Sequence, residues 1–384
     1  MKSIYVDSNA TTRVAPEVLE AMLPFYKKWW GNPSSMHSFG GECGKHVEKA
    51  REKMAKLINA KRPSEIVITS GGTESDNAAI MGTLLTHPDK KHIVTSTVEH
   101  PAIRSLCMEL AKRGYEITEI EVDREGNLDV DRLIKSIRDD TAIVSVMWGN
   151  NETGVLFPVE EISGLCNEMG VPFHTDAVQA VGKLPIDVQK SSIDFLSVSS
   201  HKLHGPKGIG FLYIKRGSKF SPLIIGGHQE RGRRAGTENV PGIVGMGTAC
   251  ELADKNMKDE NTRVKALRDK LEKNILKNIP HAKLNGNKEK RLPNTTSIAF
   301  EHIEGEAILL MLNEYGICAS SGSACTSGSL EPSHVLRAMK VPFSMAHGST
   351  RFSLSIYNDE KEVDYIIEKL PPIIEKLRSI SPFK

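Results

Sequence analysis

Short β-branched runs alternate along this chain with helix-length amphipathic stretches, and no other feature limits its fold as strongly. The runs are Ile66-Val67-Ile68-Thr69, Ile93-Val94-Thr95, Ile117-Thr118-Glu119-Ile120, Ala142 to Val146, Val171-Pro172-Phe173-His174, Phe195 to Val198 and Gly210 to Ile214. Between them, stretches such as Cys43 to Asn59 put Val47, Ala50, Met54, Leu57 and Ile58 on one helical face. The alternation predicts an α/β fold, a mostly parallel sheet with helices on both faces. Ligands of such folds sit outside the carboxyl ends of the strands. After Pro241 a long charged helical segment reaches about Asn278. Strand-like Ser297 to Phe300, helix-like Glu304 to Asn313, strand-like Thr350 to Ile356 and a helix from Asp359 then suggest a smaller C-terminal α/β unit.

At 384 residues, with 39% hydrophobic and 26% charged content, the chain can bury a large core. A formal net charge of +2, with basic stretches of mixed sign, gives no reason to expect nucleic-acid binding. Asp7 interrupts any signal-like N-terminal stretch and no segment approaches membrane-spanning length, so a cytoplasmic, membrane-free protein is expected. The six cysteines lack the Cys-x-x-Cys spacing of zinc or redox sites, so reduced thiols and no metal are expected. Four lie in helix-like or apolar settings. Cys325 instead sits in the small-residue stretch Ala319 to Ser329, which has little to pack with and is expected to be a mobile loop.

Three features fall at strand ends. Lys202 follows the run ending at Val198, within Ser199-Ser200-His201-Lys202. Asp176 closes Phe173-His174-Thr175-Asp176, and Ser70-Gly71-Gly72-Thr73 follows the strand ending at Thr69. A lysine that can form a Schiff base, a carboxylate that can keep a pyridinium protonated, and a glycine turn opening a helix for a phosphate are what pyridoxal phosphate (PLP) chemistry requires. A loop lysine, a helix-capping aspartate and an ordinary glycine turn would be written in the same letters.

Further motifs extend the pattern over the whole chain: Asp7 to Thr12, Gly31 to His37, Val98-Glu99-His100, Asn150 to Gly154, Gln229 to Asn239, Ser320 to Cys325 and Arg351 to Leu354. With them the chain resembles the cysteine desulfurases of the NifS/IscS type, in the class V aminotransferase group of fold-type I PLP enzymes. The resemblance implies a fold-type I PLP-dependent transferase, with a large PLP-binding domain over 13–258 and a small domain made of 1–12 and 259–384 that carries the cysteine loop. It implies Lys202 as the Schiff-base lysine, Asp176 on the ring nitrogen, Gln179 on the phenolic oxygen and His100 stacked on the ring. Gly72, Thr73, Ser199 and His201 match phosphate-site positions, and Thr237 matches one supplied by a second subunit of a homodimer. Asn151, Arg351 and Asn32 match substrate-holding positions, with Arg351 on the carboxylate. Departures from the family pattern, Ser8, Gly72, His228 and Ala235, remove none of these groups.

The implied reaction converts L-cysteine to L-alanine. Lys202 handles the Cα proton, His100 the thiol protons, and Cys325 takes the sulfur as a persulfide for an iron–sulfur scaffold or another acceptor protein. Cys318 is a competing thiol at an apolar strand end. A selenocysteine lyase or another class V PLP enzyme is the alternative reading. A catalytically silent scaffold would be expected to lack Lys202, Asp176 or Cys325, and all three are present.

Overall fold

The computed structural model describes residues 3–321 and 332–381. Its strands are β1 (Ile4–Tyr5), β2 (Ile66–Thr69), β3 (His92–Ser96), β4 (Glu116–Ile120), β5 (Thr141–Ser145), β6 (Phe173–Asp176), β7 (Phe195–Ser199), β8 (Gly210–Ile214), β9 (Ala282–Leu284), β10 (Thr295–Phe300), β11 (Ile317–Cys318) and β12 (Ser349–Ser353). Seven of them form the central sheet, in the order β2-β8-β7-β6-β5-β3-β4. The neighbours from β7 through β4 run parallel, whereas β8 lies antiparallel to both β7 and β2. The sheet is therefore mixed and mostly parallel.

Successive strand residues point to opposite faces, and here both faces are covered. Ile66, Ile68, Val94, Val144, Leu196 and Val198 enter one core with residues of the helices Pro16–Lys27, Ser38–Leu57 and Val240–Asp259. Val67, Ile93, Ile143, Phe195 and Leu212 enter another with the helices Gly72–Thr86 and Pro101–Lys112. The predicted helical face holds, since Val47, Ala50, Met54, Leu57 and Ile58 are all buried. One predicted strand starts later than expected. Pro172 has no N–H to give the ladder, so β6 begins at Phe173, although the Pro172 carbonyl still accepts from Val144 N at 3.0 Å.

A separate core joins Val6 to Leu267, Leu271, Ile298, Phe352 and the C-terminal helix Glu360–Ile380. Over it lies the antiparallel sheet β12-β10-β9, and β1 pairs in parallel with β11, so the N-terminus is stitched into this second unit. The segment around Val335, Leu336 and Met339 packs instead into the larger core. The long helical stretch after Pro241 is continuous through a π-helical turn at Glu260–Val264 and on through Lys265–Asn278.

Cys43, Cys107, Cys166 and Cys250 are buried, and burial pushes the thiols of Cys107, Cys166 and Cys250 up to about 12. Cys318 is half-buried on β11. Cys325 lies outside the described residues.

In the second unit Glu272 receives both Nη atoms of Arg291, at 2.6 and 2.7 Å, together with the Thr296 hydroxyl at 2.7 Å. Arg268 also lies buried nearby and donates to the carbonyls of Leu292 and Thr295. Removing the carboxylate would strand buried cations, which costs about 3–5 kcal/mol. Glu272→Ala is therefore expected to lower the melting temperature by several degrees, measured by calorimetry, while a surface control such as Glu360→Ala stays near wild type.

Candidate active site

A cavity of about 440 Å³ opens where β2, β6 and β7 end, inside the size range of small-ligand sites. Gly72, Thr73, His100, Asn151, Asp176, Gln179, Ser199, His201, Lys202 and Arg351 all line it. Ten positions chosen along the chain thus converge on one space. Thr237 and Asn32 do not line it; both are exposed, and the Asn32 Oδ1 accepts from Ser34 N at 2.9 Å.

The floor follows from backbone requirements. Gly71 adopts φ 152°, a conformation that favours glycine, and begins the helix Gly72–Thr86. A Cβ at Gly72 would come within 2.9 Å of Val178 Cγ2. With no side chain at either position, the first turn of the helix presents its N–H groups to the cavity, as an anion site needs. Ser199 at the end of β7 and His201 in the next turn stand across from it. Burial, then the neighbouring Lys202, lowers His201 to about 4, so its ring is neutral at physiological pH, and its Nδ1 lies 3.1 Å from the Thr11 hydroxyl.

Lys202 stands on the turn between β7 and β8, so the antiparallel ladder returns immediately beyond it. Its Nζ donates to the carbonyls of Asn9 and Ala10. Asp176 ends β6 and folds back on its own turn, its Oδ1 accepting from Val178 N at 2.9 Å. Burial raises its carboxyl, with the charges of His100 and Lys202 opposing. A cationic ring nitrogen would supply the counter-charge such a group lacks. Gln179 Nε2 donates to Asn9 O at 3.0 Å, while its buried Oε1 has no hydrogen-bond partner. His100 caps a helix: its Nδ1 accepts from Ala102 N at 3.2 Å at the start of the helix Pro101–Lys112, which leaves Nε2 to carry the proton. Burial and then Lys202 lower its pKa, against the pull of Asp176.

Arg351 on β12 is 2% exposed. Its guanidinium donates to Asp7 at 2.6 Å and to the Asn151 carbonyl at 2.9 Å, and its Nε has no partner. A held guanidinium with a spare donor suits a carboxylate. Glu152 also lines the cavity, accepts from the Ser333 hydroxyl and is raised to about 7 by burial.

Sequence reading missed Asn9, Asp76, Glu99 and Glu152. Glu99 is fully buried, accepts from Met147 N and is raised to about 8 by burial. Asp76 sits on the cavity-lining helix, 1% exposed, and its Oδ1 lies 3.5 Å from His174 Nε2 without a hydrogen-bond partner. That contact is not an ion pair: burial lowers His174 to about 3, and burial together with Asp176 raises Asp76 well above the carboxylate range. Among the described residues no cluster of His, Cys, Asp and Glu is arranged to hold a metal ion.

The residues fit PLP. An amine, a buried carboxyl awaiting a cation, an unpartnered amide oxygen and a side-chain-free helix start all face one cavity. A family model described as aminotransferase class-V matches residues 4–366. The chain belongs to that family. It is 57% identical over 383 residues to a protein named cysteine desulfurase NifS from Azotobacter vinelandii, covering 100% of this chain and 95% of that one. A solved structure titled NifS-like protein superposes with TM-score 0.92 at 40% identity, covering 98% of this chain and 100% of the other. Another, titled SspA in complex with cysteine, gives TM-score 0.83 at 35% identity over 93% of this chain and 100% of that one. Within the class-V family the chain groups with the NifS-like cysteine desulfurases.

Because the raised pKa of Asp76 favours its neutral form, its contribution to stability is complete below the ordinary carboxylate range and is lost as pH rises through the raised value. The amide of an Asp76→Asn variant cannot ionise. The melting temperature of Asp76→Asn relative to wild type is therefore expected to increase as the pH is raised from about 4 to about 9, read from melts across that range; a difference independent of pH would mean that Asp76 is not held neutral.

Proposed function

We propose that this protein is a PLP-dependent cysteine desulfurase that converts L-cysteine to L-alanine and passes the sulfur to Cys325. The observation that carries the reading is the convergence of Lys202, Asp176, His100 and Arg351 on one cavity at the strand ends. PLP, held by Lys202, Asp176, Gln179 and the Gly72–Thr73 helix start, supplies withdrawal of electrons from the substrate Cα. The protein does the rest. Arg351 fixes the substrate carboxylate beside Asn151, the Lys202 amine accepts and returns the Cα proton, and His100 Nε2 handles the thiol proton. The Cys325 thiolate attacks the substrate sulfur. The S–S bond forms as the C–S bond breaks, the electron pair stays on Cβ, and a proton completes alanine. The persulfide then goes to an acceptor protein for iron–sulfur cluster assembly or thiolation. Cys318 is a poorer candidate, since it is tied into β11 with its carbonyl accepting from Val6 N at 2.9 Å.

The division into a large unit, 13–258, and a small one, 1–12 with 259–384, is supported by the two separate cores, with the segment near Val335 leaning on the larger. A cytoplasmic location is consistent with the described residues, in which no helix is long and apolar enough to cross a membrane.

A homodimer is part of the same proposal. Leu19, Leu23 and Tyr26 form an exposed apolar row on the helix Pro16–Lys27, and Trp30, Met36 and Ile225 are exposed as well. Patches of this kind mark interfaces. Thr237 and Asn32, exposed and off the cavity within one chain, suit a site completed by a second subunit.

The test of the reaction is to incubate the yellow purified protein with cysteine. Alanine and sulfur are expected in equal amounts, and Cys325→Ser should stop alanine production while the cofactor stays bound. A fully active Cys325→Ser protein, with the extra sulfur mapped to Cys318, would reassign the acceptor.

For the shared site, mixed dimers of Thr237→Ala and Lys202→Ala chains are informative. One site should carry both defects and the other neither, giving about half the activity of the wild-type dimer if the sites work independently. Activity near zero would count against sharing.

A further inference from the structure

A second cavity, of about 220 Å³, lies on the other side of Lys202, and Lys202 is the wall the two cavities have in common. Its inner end is formed by Lys202, Leu203 and Thr12, and its outer end by Glu17, Asn256 and Tyr357. Glu17 and Tyr357 are exposed, so the cavity runs from the surface to the lysine. The Arg13 guanidinium lies 4.1 Å from the Tyr357 ring centre and the His204 ring meets its edge at 4.9 Å, which frames the entrance.

The middle of the cavity holds two buried ionisable groups that the reaction does not use. Lys183 is 5% exposed and Glu260 is 7% exposed. Lys183 Nζ donates to the Gln179 carbonyl at 3.1 Å, and Glu260 Oε2 is buried with no hydrogen-bond partner. Glu260 opens the π-helical turn, a geometry concentrated at functional sites, and Asn261 in that turn donates to the Lys183 carbonyl at 2.7 Å. An unmatched buried carboxyl oxygen in a cavity that Lys183, Asn256 and Ser355 also line, far larger than the ~10–15 Å³ that one water needs, is a place for ordered water. Burial lowers the Lys183 ammonium and raises the Glu260 carboxyl, each opposed by the charge of the other. Asp259 and Arg263 act on Glu260 from its own element, and the rings of His201 and His204 both feel the Lys183 charge. Lys183 also touches the cofactor side through Gln179, whose Nε2 shares the Asn9 carbonyl with Lys202 Nζ.

We propose that this back cavity is a hydrated proton route to Lys202, entering beside Tyr357 and passing Lys183 and Glu260, which lets the lysine exchange protons with solvent while substrate fills the front cavity. The proposal rests on the reading of Lys202 as the cofactor-bearing lysine. Substrate held by Arg351 beside Asn151 occupies the front approach to the Nζ, whereas Lys183 and Glu260 line only the back cavity. Lys183 and Glu260 are positioning residues here: they hold water and share a proton without contacting the reacting atoms.

The test fills the front cavity with 3-mercaptopropionate, a cysteine without its amine, so that Lys202 stays joined to the cofactor. Relaxation of the cofactor absorbance after a pH jump then reports proton arrival at Lys202 Nζ in the holoenzyme. Ala253 lines the back cavity, and Ala253→Leu plugs it. With 3-mercaptopropionate present, relaxation in this variant should be slower than wild type by about tenfold or more, and with the front open it should match wild type. Asn256→Leu, at the outer end, provides the same comparison should the first variant fold poorly. Equal relaxation in wild type and plugged enzyme with the front filled would overturn the route. A wild-type protein with no cofactor absorbance would instead defeat the assignment of Lys202 itself.

Discussion

Every polar group of Asn9 is used, and through them the two halves of the molecule meet. Its N–H donates to Ser353 Oγ, its amide nitrogen to the Asn151 carbonyl and Thr295 Oγ1, and its amide oxygen accepts from Asn294. Its carbonyl accepts from Gln179 and from Lys202. Unpaired buried polar groups are costly, and Asn9 leaves none of its own because β10, β12 and the end of β6 all hold their places around it. The Arg351–Asp7 ion pair at 2.6 Å lies on the same seam. The placement of Lys202, Gln179 and Arg351 around the front cavity therefore depends on how the N-terminal segment is threaded between the two cores.

Much of this fold can be read from the sequence because the central strands are buried on both faces, which leaves nearly continuous β-branched runs in the chain. The seven predicted central strands all form, with shifts of a residue or two at their ends. The short pair β1 and β11 was not visible: two residues carry no period, and their pairing joins positions more than three hundred apart. The reversed direction of β8 was also hidden, since a run such as Phe211-Leu212-Tyr213 looks the same whichever way its neighbours point.

Legibility of the site divides along similar lines. Lys202, Asp176 and the Gly71–Gly72 turn stand at strand ends, where an α/β fold collects its chemistry, so their letters and places agree. His100 and Arg351 became candidates only through resemblance, because a histidine before proline and an arginine in a strand carry no local mark of a cavity. Asp76, Glu99 and Glu152 were silent for another reason. Each is an acidic residue in an ordinary polar context, and what sets it apart, complete burial beside other charges, arises only after distant elements pack. Thr237 and Asn32 are exposed and stay off the cavity that the other candidates line.

A protein that generates reactive sulfur inside itself faces a problem of self-modification, since any accessible thiolate on its own surface would compete for the cargo. The buried cysteines answer it by protonation as much as by enclosure. With Cys107, Cys166 and Cys250 pushed to about 12, only a minute fraction of each is ionised at neutral pH, and a thiol is a poor nucleophile toward sulfane sulfur. The apolar packing that holds the sheet and helices together thus also serves as chemical insulation for these three thiols.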